Sequence, residues 1–266
     1  MEIKEYLSRY YEHYDEDGRL VHNRCGQIEY ATTMKYIRRY LQTQGKVLEV
    51  GAGTGRYSLT LAREGCDVTA VELVAYNLEL LRSQITADMA INALQGDGRM
   101  LSMLPDASYD LTLVLGPMYH LYHEADKMQV ISEALRVTKP GGVVMVAYAI
   151  SEGSIVEYVF KQGRLKEVFD DGMLDPVTFT TSSSVFNQYL FEMVRKTDVD
   201  RLMSHYPVER LHYIATDGLS YFMRQELEQM DTETFQTFLQ YHLAVCENAD
   251  LVGATAHSLD IFRKRG

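Results

Sequence analysis

From position 45 onward the chain alternates two kinds of hydrophobic pattern. Short β-branched runs, Val47 to Val50, Val68 to Val71, Ile91 to Gln95, Asp110 to Leu115 and Val143 to Tyr148, are apolar at nearly every position. Such runs predict strands covered on both faces by other elements. Between them, Tyr57 to Glu64, Val74 to Ile85 and Asp126 to Val137 place apolar residues three and four apart, the spacing of helices that bury one face. Strands and helices in alternation predict βαβ units and a parallel sheet. Lys139-Pro140-Gly141-Gly142 reads as the turn that closes the last of these helices before the fifth strand.

Outside this rhythm, residues 1–44 are helical in pattern, with Tyr6, Tyr10 and Tyr14 at successive i, i+4 positions. That stripe suits a helix face docked on the sheet. Residues 151–185, with several glycines, a proline and the polar run Thr180 to Ser184, predict an inserted helical segment and a loop. Thr197 to Tyr206 then predicts a helix, Val208 to Ala215 a strand, Ser220 to Asn248 two helices and His257 to Arg263 a last strand. No repeat or linker interrupts the chain. The expectation is one domain over 1–266, with an N-terminal extension (1–44), a core (45–150), an insert (151–185) and a C-terminal part that completes the sheet (186–266).

Composition narrows the function. At 266 residues, 46% hydrophobic and 24% charged, the chain can bury a sizeable core. A formal net charge of -11 argues against nucleic acid as a partner, because that affinity comes largely from Lys and Arg displacing counterions. Cys25, Cys66 and Cys246 are odd in number and widely spaced, which fits neither a disulfide framework nor a zinc pattern and suits a reducing compartment. The charged start Met-Glu-Ile-Lys-Glu-Tyr has no apolar leader core, and the longest apolar run, Val143 to Ile150, is too short to span a bilayer. A cytoplasmic protein with no membrane partner is expected.

The strongest chemical signal is Val47-Leu48-Glu49-Val50-Gly51-Ala52-Gly53-Thr54-Gly55-Arg56. A strand runs into a glycine-rich turn that opens a helix, where backbone can approach a ligand closely. Glu72 ends the next strand, where an acid can accept hydrogen bonds from both hydroxyls of a ribose. Asp97 follows the third strand in Gln95-Gly96-Asp97-Gly98, placed to accept from an exocyclic amine. Acids at the carboxyl ends of neighbouring parallel strands converge on one crevice, and together with the turn they describe a nucleoside-shaped site.

These residues make the chain similar to the class I S-adenosylmethionine-dependent methyltransferases. The resemblance runs from about Gly45 to Tyr148, through E-V-G-A-G-T-G-R at 49–56, A-V-E-L at 70–73, G-D-G at 96–98, Y-D-L-T-L-V-L-G at 109–116 and L-R-V-T-K-P-G-G at 135–142. It implies a Rossmann-like, doubly wound, mostly parallel α/β sheet of seven strands with an antiparallel terminal strand, an N-terminal helical extension and a helical insert. It further implies S-adenosyl-L-methionine as cofactor. Gly51, Gly53 and Gly55 would wrap its methionine part, with Glu49 supporting the turn and Ala52, Thr54 and Arg56 beside it. Glu72, next to Leu73, would hold the ribose, and Asp97, next to Gly98, the adenine amine. Leu115 and Gly116 would offer backbone to the methionine ammonium.

Departures from the family's patterns bear on the acceptor. Enzymes acting on base or glutamine amines usually carry an Asn or Asp, two prolines and an aromatic after the fourth strand, whereas this chain has Leu115-Gly116-Pro117-Met118-Tyr119. Gly116 also supplies no carboxylate for a hard cation, so no metal is expected. A sulfonium is already an activated electrophile, which leaves alignment and water exclusion as the main tasks. His120, Tyr119 and Tyr14 are the chief candidates to orient or deprotonate an acceptor, with His123 and Tyr148 behind them. The resemblance also keeps open a lid role for the segment before the first strand, where Arg19, His22 and Arg24 could meet an anionic group. Tyr158, Phe160, Phe169 and Phe179 give the insert aromatic bulk, which favours a small organic acceptor. Two other readings compete: a non-catalytic, regulatory cofactor-binding protein, and a nicotinamide-dependent oxidoreductase, whose G-x-G-x-x-G spacing the chain does not meet because Arg56 stands where the third glycine would fall.

Overall fold

In the computed structural model, which describes residues 3–41, 44–181 and 191–266, the apolar runs pair as neighbours. The strands are β1 (Lys46–Val50), β2 (Asp67–Glu72), β3 (Ile91–Gln95), β4 (Tyr109–Val114), β5 (Thr138–Ile150), β6 (Met193–Val194), β7 (Val208–Ala215) and β8 (His257–Lys264). The sheet runs β3-β2-β1-β4-β5-β8-β7. β1 to β5 are mutually parallel, and β8 is antiparallel to both β5 and β7. The two-residue β6 pairs with the end of β5 and makes the eighth strand. It is too short to leave a periodic trace in the sequence.

The helices are α1 (Ile3–Tyr11), α2 (Arg24–Tyr40), α3 (Arg56–Arg63), α4 (Ala75–Ser83), α5 (Glu124–Val137), α6 (Ser151–Ser154), α7 (Leu165–Asp170), α8 (Lys196–Met203), α9 (Arg224–Gln229) and α10 (Thr232–Val245). Successive strand side chains point to opposite faces, and two buried layers result. Val47, Leu111, Leu113 and Met145 meet Ile37 of α2 and Leu61 of α3 on one face. Leu48, Val50, Val114 and Val144 meet Ile131 and Ala134 of α5 and Leu202 of α8 on the other. Strands so covered have no wet face, which is why their sequences lack alternation. Among the described residues no helix is long and apolar enough to cross a membrane.

Two local readings need correction. Lys139 to Gly142 does not precede β5 but lies within it: Thr138 already pairs with Tyr109, and pairing resumes at Leu111 with Val143. The residues between are extruded as an irregularity, with Gly141 at φ 78°. The Tyr6, Tyr10, Tyr14 stripe is not one helix face, because α1 ends at Tyr11 and Tyr14 stacks on Tyr10 with ring centroids 5.1 Å apart. Asn23 then starts α2 as its N-cap, accepting from the Gly26 N–H at 2.8 Å. The insert forms a small core of its own from Ile155, Val159, Val168, Met173 and Leu174. Of the polar run Thr180 to Ser184, positions 182–184 lie outside the described residues.

Strand order reverses between β1 and β4, so a crevice opens at the carboxyl ends of these strands. β8 runs the other way, and its first residue, His257, lies beside Ala149 near the carboxyl end of β5. The start of the last strand therefore reaches the same edge as the ends of the first four.

Candidate active site

The glycine turn is built by the backbone. Gly51 and Ala52 donate to the Val71 carbonyl at 2.8 and 3.2 Å, and Gly55 donates to the Ala52 carbonyl at 2.8 Å. Gly51 and Gly55 sit at φ 75° and 90°, which favours glycine. A Cβ on Gly51 would lie 2.6 Å from Pro117 Cδ, and one on Gly55 2.1 Å from Leu81 Cδ1. These two glycines answer to the protein's own packing as well as to any ligand. Beneath the turn, Glu49 is 2% exposed and accepts from the Ser58 N–H at 3.0 Å and from the Ser58 hydroxyl. Burial raises its carboxyl to about 8 although both Ser58 donors pull the other way.

Glu72 lies at the end of β2 with both oxygens engaged, Oε2 accepting from the Gly53 N–H and Oε1 from the Val74 N–H, each at 2.8 Å. It thus joins the glycine turn to the start of α4. Burial raises its carboxyl and the backbone donors oppose that. Asp97 is held by Arg99, whose Nη2 donates to Oδ2 at 2.7 Å. Burial pushes its carboxyl up, and the Arg99 bonds outweigh it, leaving the group below the usual range. Thr54 donates to Asp17 Oδ1 at 3.2 Å, and Arg56 donates to the Asp17 carbonyl at 2.7 Å, so both tie the loop before α2 to the turn.

Glu49, Gly51, Gly53, Thr54, Arg56, Glu72 and Asp97, with Ala52, Leu73, Gly98, Leu115 and Gly116, line one cavity of about 820 Å³, whereas Gly55, packed against Leu81, does not line it. Tyr6, Leu7, Tyr10, Tyr11 and Tyr14 also line it, and Leu7 packs against Val74. α1 and the turn after it thus form a wall over the crevice. Tyr11 Oη meets His120 Nε2 at 3.1 Å, linking that wall to the loop after β4. Tyr119 is buried, and burial lifts its phenol well above the ordinary value. Tyr14 is pushed up to about 12, again chiefly by burial. Both phenols therefore keep their protons at neutral pH and act as hydrogen-bonding groups rather than bases. Tyr148 is elsewhere, 1% exposed within the core. His22 faces Asp15, and Arg24 stacks over Phe235 and donates to the Leu227 carbonyl. Tyr158, in the insert, lines the cavity and meets Tyr221 Oη at 2.7 Å.

Local sequence patterns single out Arg19 but not the other members of a second group of cavity residues. Arg19 Nη1 lies 3.0 and 2.9 Å from the two oxygens of Glu29, and His257 Nδ1 lies 2.7 Å from Asp217 Oδ2 and 3.9 Å from Glu29 Oε2. Asp217 follows β7 and His257 begins β8, so pairing of those strands brings them together. A polar residue at each of two adjacent strand ends was the available signal. Glu29, Asp217 and His257 offer metal-ligating atoms close together among the described residues, with the Arg19 guanidinium already on Glu29.

This doubly wound sheet, with its crevice at the point where strand order reverses, defines a Rossmann-like α/β domain. Residues 47–142 match the methyltransferase domain family. Over 108 residues the chain is 36% identical to a 2-methyl-6-phytyl-1,4-hydroquinone methyltransferase of Synechocystis, covering 38% of this chain and 31% of that protein. Over 100 residues it is 33% identical to a ubiquinone biosynthesis O-methyltransferase of Pectobacterium carotovorum, covering 37% and 41% respectively. The chain spans less than half the length of these relatives. The fold is similar to that of an S-adenosylmethionine-dependent methyltransferase from Methanosarcina mazei, with a TM-score of 0.57 at 17% identity over 86% of this chain and 97% of the other. Residues 47–142 thus carry the match to the methyltransferase domain family, on a fold shared with S-adenosylmethionine-dependent methyltransferases.

Proposed function

We propose that this chain transfers the methyl group of S-adenosylmethionine to a small organic acceptor. The observation that carries the reading is a continuous cavity of about 820 Å³, which reaches from the glycine turn, Glu72 and Asp97 to His257 and Tyr221. That volume is within the range of small-molecule sites. The residues present fit the cofactor: the cavity passes the backbone of the glycine turn, and Asn77, on its wall, carries a buried Oδ1 with no hydrogen-bond partner. Glu72 would accept from the ribose hydroxyls and Asp97 from the adenine amine. Gly51 to Gly55 with Arg56, and the backbone of Leu115 and Gly116, would surround the methionine part. The cofactor supplies an electrophilic methyl group, and the chain aligns the acceptor with it and keeps water out beneath α1.

Relatives named for hydroquinone and ubiquinone biosynthesis methylation support a small aromatic acceptor, as do the tyrosines along the cavity. Calorimetric titration with S-adenosylmethionine, S-adenosylhomocysteine and NAD tests the reading. Micromolar binding of the first two with NAD silent is expected, and binding of NAD alone would overturn it.

The lid contact has its own consequence. Tyr11→Phe removes the hydroxyl that meets His120 and should speed S-adenosylhomocysteine release about 2- to 10-fold, the equivalent of one ordinary hydrogen bond. Stopped-flow displacement measures that rate, and an unchanged rate would mean the contact does not hold the lid.

A further inference from the structure

We propose that His257, oriented by Asp217, is the general base of this cavity, and that the acceptor it serves is an aromatic hydroxyl. This rests on the methyl-transfer reading above. Asp217 Oδ1 accepts from the Ala256 and His257 N–H groups, each at 3.1 Å, and from the Thr255 hydroxyl. Those bonds already pin the chain from Thr255 to His257, where β8 begins. The other oxygen, Oδ2, is directed to His257 Nδ1 at 2.7 Å, and so fixes the ring in the tautomer that carries its proton on Nδ1. Nε2 makes no hydrogen bond among the described residues, and the imidazole is 21% exposed on the cavity wall. A histidine with a purely structural role would ordinarily use both nitrogens when this far buried.

The surroundings suit a base that gains charge during the reaction. Asp217 faces the ring from the end of β7, Glu29 from α2, and Arg19 from the loop between α1 and α2. Tyr119 and Tyr221 flank it, each with its ring centroid 5.9 Å away. In the step itself, the acceptor oxygen gives its proton to Nε2 as it forms a bond to the methyl carbon. The bond from that carbon to sulfur breaks with its electron pair left on sulfur, and the imidazolium later releases its proton to water. Asp217 and Glu29 balance the positive charge meanwhile.

The walls around the base suit a neutral aromatic acceptor. Glu29 is engaged by Arg19 and Asp217 by His257, and an aromatic ring can stack against Tyr119 and Tyr221, which line the cavity beside the imidazole.

Histidine side-chain NMR on the S-adenosylhomocysteine-loaded chain tests this, with His257→Gln for assignment and phenol and benzylamine as probes. The neutral His257 ring is expected to carry its proton on Nδ1 and to show a shifted Nε2 resonance with phenol. A neutral ring protonated on Nε2, an Nε2 resonance indifferent to phenol, or a response to benzylamine alone would overturn the proposal. With any phenol that is methylated, His257→Gln should lower kcat about 100-fold or more and leave the S-adenosylhomocysteine Kd unchanged. An unaltered kcat would reduce the dyad to a structural contact while the methyl-transfer reading stood. Loss of S-adenosylhomocysteine binding by the unmutated chain would instead overturn the methyl-transfer reading and this one with it.

Discussion

Glu72→Ala should weaken S-adenosylhomocysteine binding by roughly 30- to 1,000-fold, the equivalent of losing about 2 to 4 kcal/mol of charge-assisted hydrogen bonding. Two effects act together. The carboxylate would lose its bonds to the ribose hydroxyls, and the Gly53 and Val74 N–H groups it now receives at 2.8 Å would lose their partner. The turn itself should survive, because Gly51 and Ala52 hang from the Val71 carbonyl independently of Glu72. Glu72→Gln separates the effects, since its amide oxygen can serve one of the two N–H groups but its NH2 cannot accept from a hydroxyl. Calorimetry on both variants is the measurement. Affinity within threefold of the parent in Glu72→Ala would remove Glu72 from the cofactor site.

The contribution of Glu49 to stability should fall as pH rises from about 4.5 to about 8, and Glu49→Gln should remove that contribution. Burial lifts the Glu49 carboxyl from an ordinary 4.5 to about 8. Between those values the folded chain holds a proton that the unfolded chain has released, so the stabilisation is complete below the lower value and is lost as pH climbs through the upper one. One such proton corresponds to a slope of up to about 1.4 kcal/mol per pH unit. Urea denaturation of parent and variant across this window isolates the group, because other titrating residues contribute to both. Parallel profiles would show that Glu49 is ionised in the fold.

The parts of the molecule that were legible in the sequence are those in which local pattern and final environment agree. Ile91 to Gln95 reads as a strand and forms β3, because a short run between helical periods has few alternatives, although Asn92 and Gln95 stay exposed. The glycine turn announced itself through residues that tolerate positive φ. The extrusion at Lys139 to Gly142 did not, since a Pro-Gly-Gly cluster signals a break in regular backbone without saying whether a strand continues beyond it. Tyr148 looked like a strand-end candidate for chemistry, yet β5 extends to Ile150 and buries it. Arg19 and Glu29 are near neighbours in the chain, whereas Asp217 and His257 stand far from them and meet each other because β7 pairs with β8. No spacing rule reaches across such a separation, and strand pairing supplies what periodicity lacks.

The three cysteines, all buried and unpaired, equip the chain with a set of internal clocks. Cys25 stands on the cavity wall and donates to the Ser220 carbonyl at 3.2 Å, Cys66 lies between α3 and β2 in the core with Leu61 and Val68, and Cys246 ends α10 against Tyr36. Burial raises the Cys25 thiol to about 11, so an alkylating reagent must wait for the structure to open before it finds a thiolate. Alkylation at each position, followed by mass spectrometry, would time the loosening of a different part of one molecule. Ligand in the crevice should slow the Cys25 clock more than that of Cys246.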